Sequence, residues 1–349
     1  MGKKITIYDI AKKLDITAAT VSRALNNNTK ISQATRELVI KTAKEMNYEQ
    51  NKLAQALKSG KSFNVGVIVP RIDSNFFASV IRGIEEELYP QGYHVIICQT
   101  HDQEDLEIGN INSLLNAQVD GILMSISNAK VENNPSFQNL LKKNVPLIFF
   151  DRKKDIKGLS SVTIDDYRGA YDATKHLIDQ GYKRIAHLSN DRLLLIFKNR
   201  YLGYKQAIID NGLEFDESLV IETQSKVVEG KKTTKIFLDM ERPPDAIFSS
   251  SDFTALGAIQ EIKERGLKIP EDISVVGFSN EPFTKFMELS ITSVDQSPLE
   301  MGRITAQVFL EEVNNGQKIK SEKQVVLSPE LMIRKSSLRK HTSIHSDKK

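Results

Sequence analysis

The chain has 349 residues, with 48 lysines and arginines against 45 aspartates and glutamates, a formal net charge of +3 and one cysteine. That length exceeds one ordinary domain and allows sizeable apolar cores, while a single cysteine excludes an intramolecular disulfide framework and fits a reducing compartment. No run approaches the ~20 apolar residues that span a bilayer, and Lys3 and Lys4 have no apolar stretch behind them, so a signal peptide and membrane association are not expected and a cytoplasmic location is.

The first 60 residues read as helices. Thr6 caps an amphipathic run ending at Leu14, with the acidic Asp9 three residues on. Asp15-Ile16 breaks the period, and Thr17 caps a second helix whose Val21, Ala24 and Leu25 share one side. Two short helices with so brief a joint have helix-turn-helix spacing. Ser32 caps a third helix, whose inner face is expected to hold Leu38, Val39, Thr42, Ala43 and Met46, and small Ala11 lets the second helix cross the first closely. Ala18, Ala19, Ser22, Arg23 and Asn26 are left on the open face of the second helix. Such a set, short groups with one guanidinium, suits a DNA major groove.

The alternative is an ordinary three-helix surface unit with solvated charge. Eleven lysines and arginines against five acids give residues 1–60 a charge of +6, while the rest of the chain carries −3. That asymmetry is the footprint of nucleic-acid binding confined to one end, so double-stranded DNA is the expected partner. Residues 51–57 have helical character but are too few for a stable isolated helix, and Lys58 to Ser62 form a polar, Gly-containing joint.

From Phe63 the pattern changes. Strands are expected at Asn64–Val69, His94–Cys98, Gly121–Met124, Leu147–Phe150, Arg184–Leu188, Ala246–Ser249 and Ile273–Gly277. Helices are expected near 77–90, 104–118, 136–143, 168–180, 198–211, 229–240 and 252–265. This alternation predicts mostly parallel, helix-covered sheets, divided into two similar α/β lobes with chain crossings near 163–165, 291–294 and 325–327. One lobe then holds residues 63–163 and 294–325, the other 164–291 and 326–338. Helix 77–90 presents Val80, Ile81, Ile84 and Leu88 as a candidate dimer face. The basic tail at 341–349, with His341 and His345, reads as disordered.

Ligands of open α/β sheets bind beyond the carboxyl ends of the strands. That rule selects Pro70, Arg71, Asp73, Asn75, Phe76 and Phe77 after the first strand. After the others it selects Asp102, Ser125, Ser127, Asp151, Arg152, Asn190, Ser251, Asp252, Ser279 and Asn280. Gln296 joins the expected effector contacts. Aromatics, carboxylates and hydroxyls suit a polar, ring-shaped small molecule. Against an enzyme, no Gly-rich phosphate loop occurs, the six histidines show no metal-ligand spacing in the body, and Asp165-Asp166 reads as a helix N-cap pair. Cys98, within Val95-Ile96-Ile97-Cys98, reads as a core thiol. No cofactor is expected.

In their order and spacing, several motifs together resemble the headpiece of the LacI/GalR family of bacterial transcription regulators. They are Thr6-Ile7-Tyr8-Asp9-Ile10-Ala11, Thr20-Val21-Ser22-Arg23, Thr35-Arg36, Asn47-Tyr48 and Asn51-Lys52-Leu53-Ala54-Gln55-Ala56-Leu57. The resemblance runs to about residue 338. It implies a small all-α helix-turn-helix headpiece (residues 1–60, with a hinge helix at 51–58) and a periplasmic-binding-protein-like body (residues 61–340) of two doubly wound lobes. DNA contacts then include Thr6, Thr17, Thr20, Thr35, Tyr48, Asn51, Lys52 and Ala54. Leu57 wedges into a base step where two hinge helices pair in the minor groove. A homodimer binds a near-palindromic operator, and an effector, a sugar or sugar derivative, changes the lobe angle through a coupling of about 1–3 kcal/mol. Arg200 matches the arginine that grips the effector, Asp252 a cleft acid, and Phe76 and Phe77 aromatic contacts. The chain departs from the family at Asp15 (usually Gly), Gln50 (usually Pro), Ser279 (usually Asp) and Ser251 (often Asn). Arg152 and Arg200 in one cleft also suit a carboxylate or phosphate, as on a uronic acid or sugar phosphate.

Overall fold

The computed structural model describes residues 5–48, 60–127, 134–143, 145–314 and 322–339, in two compact units, Met1–Ser62 and Phe63–Lys349. The expected hinge contacts Asn51, Lys52, Ala54 and Leu57 and the tail at 341–349 lie outside the described residues.

The first unit holds α1 (Ile7–Leu14), α2 (Ala18–Leu25) and α3 (Gln33–Glu45). The Thr6 backbone N–H and hydroxyl both donate to the Asp9 carboxylate, at 2.8 and 2.7 Å, and the Thr17 hydroxyl accepts from the Thr20 N–H at 3.1 Å. Each bond satisfies or fixes a helix start that would otherwise fray. Asp15 ends α1 at φ 53°, the left-handed conformation that Asp tolerates. Ile10, Val21, Ala24 and Val39 are fully buried at the centre, with Ala11 and Ala43 beside them. Leu38 departs from expectation: it is 52% exposed, because the helical period that turns Val39, Thr42 and Ala43 inward carries residue 38 to the flank.

The second unit is built from two six-stranded sheets. Its first part runs β1 (Asn64–Val69), α4 (Asn75–Leu88), β2 (His94–Gln99), α5 (Glu104–Asn116), β3 (Gly121–Met124), α6 (Pro135–Lys142), β4 (Leu147–Phe150) and β5 (Ser160–Ile164). The chain then enters the other lobe with α7 (Asp166–Asp179), β6 (Ile185–Ser189), α8 (Leu195–Asp210), β7 (Val220–Glu222) and α9 (Val227–Leu238). That lobe continues through β8 (Ala246–Ser249), α10 (Asp252–Glu264), β9 (Ser274–Phe278), α11 (Pro282–Phe286) and β10 (Thr292–Asp295). Last come α12 (Pro298–Asn314), β11 (Gln324–Leu327) and β12 (Glu330–Met332). The strand orders are β11-β5-β4-β3-β1-β2 and β12-β10-β9-β8-β6-β7, parallel throughout except where β12 meets β10. Strands such as Gly121–Met124 and Leu147–Phe150 are buried along their whole length, which is why they read as unbroken apolar runs.

The first crossing falls at 165, directly after β5, as the sequence suggests, while the other two fall later. β10 pairs with β9 and β12, and β11 with β5, so each of these strands completes its ladder before the chain changes lobe. Helix α12 carried no expectation. Its buried side includes Gly302, Thr305 and Ala306 beside Met301, Val308 and Phe309, and those small and polar residues dilute an apolar period. They are there because α4 and α12 cross backbone to backbone. A Cβ on Gly83 would strike the Leu299 carbonyl oxygen, and one on Gly302 the Val80 carbonyl oxygen. In consequence Val80, Ile84 and Leu88 of the expected dimer face are fully buried within the lobe, and Ile81 is left half-buried. Gly302→Ala should therefore lower stability by about 1–3 kcal/mol through overpacking, seen as a lower urea midpoint at unchanged slope.

Candidate DNA-reading face and ligand cleft

On the first unit, Thr6, Thr17, Ala19, Arg23 and Asn26 are exposed and Thr20, Ser22, Thr35 and Tyr48 half-buried. Ala18 is half-buried as well, packing partly against the headpiece core where the first turn of α2 meets its neighbours. The Asn26 amide donates to the Ser22 carbonyl at 2.8 Å, and burial raises the Tyr48 phenol pKa. Among the described residues, Arg23 has no side-chain hydrogen bond or ion pair, so its guanidinium projects with all donors available.

In the second unit, the ends of the parallel strands of both lobes enclose a cavity of about 110 Å³. The N-terminal lobe contributes Pro70, Arg71, Ser74, Phe76 and Phe77 from the β1–α4 turn, and Asp151 and Arg152 from the end of β4. The other lobe contributes Ile196, Phe197 and Arg200 of α8, Ser225, Ser250, Ser251, Phe253, Ser279, Glu281 and Gln296. A wider outer space is lined by Asp73, His101, Asp102 and Lys226 and shares Arg71, Ser225 and Phe253 with the inner one.

Arg200 is the most constrained cleft cation, only 3% exposed. Its Nε donates to Asp166 at 2.7 Å, Nη1 to the Ser250 carbonyl at 2.9 Å and Nη2 to Gln296 at 3.1 Å. The guanidinium lies 3.7 Å from the centre of the Phe278 ring. Burial still pushes the Asp166 carboxyl up to about 6 despite that partner. Arg152 donates to Asp102, while its buried Nε has no hydrogen-bond partner and lies 3.8 Å from Asp151. Asp151 accepts from Ser125 at 3.0 Å, and burial raises its pKa above the ordinary carboxylate range. Arg71 holds both oxygens of Asp73, at 2.9 and 3.0 Å. Ser279 sits at φ 116° and accepts from Gln296 at 2.9 Å; the adjoining Asn280 is at φ 51°. Such strained backbone persists only when its surroundings over-determine it, and here it turns the chain leaving β9 into the cleft.

Of the expected effector contacts, Phe76, Phe77, Asp151, Arg152, Arg200, Ser251, Ser279 and Gln296 therefore line the inner cavity and Asp102 the outer space. Two do not. Ser127 is buried, its N–H and hydroxyl both donating to Glu107, whose carboxyl burial pushes to about 7. Asp252 is fully buried and turned inward, accepting from Ser293 at 2.6 Å and from the Glu281 N–H at 2.8 Å. Its oxygens brace β10 and the turn after β9. Phe197, Phe253, Asp166 and Glu281 were not expected. Asp165-Asp166 follows β5, whose Ser-Ser-Val-Thr-Ile sequence lacks the apolar run that marks the other buried strands, so its strand-end position is not visible in the sequence. Asp165 does cap α7, accepting from the Arg168 N–H at 2.9 Å, whereas Asp166 turns to Arg200.

Among the described residues, no group of three or more His, Cys, Asp or Glu is placed to hold a metal ion, and no helix is long and apolar enough to cross a membrane. Cys98 is half-buried rather than a core thiol, and desolvation raises its pKa.

Residues 6–51 match the profile of bacterial regulatory proteins of the lacI family, and residues 62–336 that of periplasmic binding proteins and the sugar-binding domain of the LacI family. The chain belongs to the LacI family. Like other LacI-family members it is a DNA-binding transcriptional regulator. The HTH-type transcriptional regulator DegA of Bacillus subtilis (strain 168) is 33% identical over 96% of this chain and 98% of its own length. The HTH-type transcriptional repressor CytR of Escherichia coli (strain K12) is 34% identical over 95% and 96%. Among solved structures, the transcriptional regulator CelR–cellobiose complex superposes with a TM-score of 0.71 at 27% identity, covering 95% of this chain and 100% of that one.

Proposed function

We propose that this LacI-family protein is a cytoplasmic, homodimeric repressor without catalytic activity, and that its inter-lobe cleft takes a sugar-like ring bearing no anionic group. The observation that supports the ligand reading is the pairing of the cleft cations. Arg71 is held by Asp73, Arg152 by Asp102 and Arg200 by Asp166, so no guanidinium is left over to neutralise a phosphate or uronate. Phe76, Phe77, Phe197 and Phe253 line the same space together with the hydroxyl-bearing Ser74 and Ser251. The relative CelR was solved as a cellobiose complex. Sugars, uronates and sugar phosphates screened by thermal shift should separate clearly. A ligand at 100-fold its dissociation constant adds about 2.7 kcal/mol, and stabilisation by uronates or phosphates alone would overturn this reading. Release of a selected operator fragment by the same ligand distinguishes a regulator from a sugar-binding module, and a glycosidase screen on the same samples tests for catalysis.

With α4 closed over by α12, pairing is assigned to surfaces bearing the exposed apolar residues Val228 and Phe286. Phe286→Glu should shift the protein toward monomer in sedimentation equilibrium; an unchanged dimer would move the interface elsewhere.

A further inference from the structure

We propose that Glu281 selects the effector by binding a basic nitrogen on it, which narrows the sugar reading above, on which this inference rests, to amino sugars. Glu281 follows the strained Ser279 and Asn280 and caps α11, and its own N–H donates to Asp252, so the residue is held firmly in place. It lines the inner cavity yet is only 5% exposed. Among the described residues its carboxyl has no ion pair and no side-chain partner; its hydrogen-bond donor is the backbone N–H of Phe76, from the opposite lobe. No other carboxyl of the inner cavity is in this position, since Asp151 has Ser125 and shares Arg152.

The surrounding charges sharpen the point. Asp252 lies behind Glu281 with Arg334 beyond it, and Arg71 faces Glu281 from the other lobe with its Nε and Nη2 on Asp73. Burial, and then the like charge of Asp252, push the Glu281 carboxyl up to about 7, with only the Phe76 amide and Arg71 opposing. A carboxyl kept dry beside a second acid lacks a cation. An ammonium supplied by the ligand provides one, with charge-assisted hydrogen bonds roughly twice as strong as those a hydroxyl can give.

Ammonium binding requires the ionised carboxylate. Below about pH 7 the ligand must displace a proton, so its affinity should fall by up to about tenfold per pH unit, whereas a neutral sugar has no such slope from this residue. Asp166 and Asp252, both raised to about 6, titrate nearby, so the slope is assigned through a variant.

The test is isothermal titration of the full chain with glucosamine, galactosamine and mannosamine and with glucose, galactose and mannose, at about pH 6 and pH 7.4. The expected result is one amino sugar binding at least about tenfold more tightly than its parent, releasing close to one proton at the lower pH, with the preference collapsing in Glu281→Gln. Proton release is read on the wild type from buffers of different ionisation enthalpy, so the conclusion survives a variant that binds nothing. Operator binding by Glu281→Gln without sugar reports whether it is folded. A parent hexose that binds as well as its amino sugar, a preference retained in Glu281→Gln, or binding without proton release each overturns the role of Glu281 and leaves the sugar reading standing. If no member binds, the sugar reading fails and this inference fails with it.

Discussion

Arg200→Ala is expected to lower the stability of the ligand-binding body by about 3–5 kcal/mol, the range for breaking a buried ion pair from one side, and to abolish the effector response. The structural loss is concentrated at Asp166, which would keep its buried position without the guanidinium that is 2.7 Å away. Asp166 already titrates at about 6 because burial outweighs its partner. Removing Arg200 raises it further, so the variant holds Asp166 protonated at neutral pH. The deficit relative to wild type should therefore be largest above about pH 6, where the wild-type carboxylate is ionised and paired, and should shrink on acidification below it. Urea melts at pH 5 and pH 8 test the sign. Arg200→Lys keeps the charge but cannot reach Asp166, the Ser250 carbonyl and Gln296 together, as the planar fork does. A loss of effector affinity in that variant is the expected result, and a titration like wild type would remove Arg200 from the ligand site. Stability and recognition are separated by the pair Arg200→Met with Asp166→Leu. Replacing both partners by apolar groups should recover most of the stability, while the effector response stays lost. Recovery of the response as well would make Arg200 a purely structural residue.

How much of this was legible in the sequence depends on the physical signal each part carries. The headpiece is written in short-range terms, caps at Thr6, Thr17 and Ser32 and a 3.6-residue period, so its helices and most of its inner face were readable. Parallel strands buried on both faces, such as Leu147–Phe150, announce themselves as apolar runs. β5 (Ser-Ser-Val-Thr-Ile) and α12 do not, because small and hydroxyl-bearing residues fill their buried positions where neighbours approach closely. The strand-end rule found much of the cleft lining, but it says which residues stand at the right end, not which way each turns. Asp252 and Ser127 stand there and face inward, toward Ser293 and Glu107. Asp166 and Glu281 were missed for two different reasons. One follows an unrecognised strand; the other lies beyond a two-residue left-handed turn that no periodicity announces. The face of α4 was misread because its partner, α12, was not foreseen, and an apolar stripe does not say what will cover it.

Arg23→Ala should cost the regulator about 1–3 kcal/mol of discrimination between operator and random DNA, the value of a bidentate arginine–guanine contact. Arg23 is the one long cationic side chain of α2, exposed in the last turn of the helix and without a protein partner among the described residues. Around it, Ala19 offers a methyl group and Asn26 an amide whose nitrogen also bonds the Ser22 carbonyl, so neighbouring contacts give little to replace a lost fork. The headpiece fold should be unaffected, because its core is Ile10, Val21, Ala24 and Val39 and none of them touches solvent. Lysine at this position separates two roles. A phosphate contact needs only the charge, so Arg23→Lys would then bind operator and random DNA in the wild-type ratio with nearly the wild-type salt dependence. A base contact needs the paired donors, so Arg23→Lys would keep the salt dependence and lose preference at one base position in each half-site. Operator selection from randomised DNA with wild type, Arg23→Ala and Arg23→Lys reads this directly. An information profile unchanged in both variants would assign Arg23 to the phosphate backbone and leave base reading to the shorter side chains of α2.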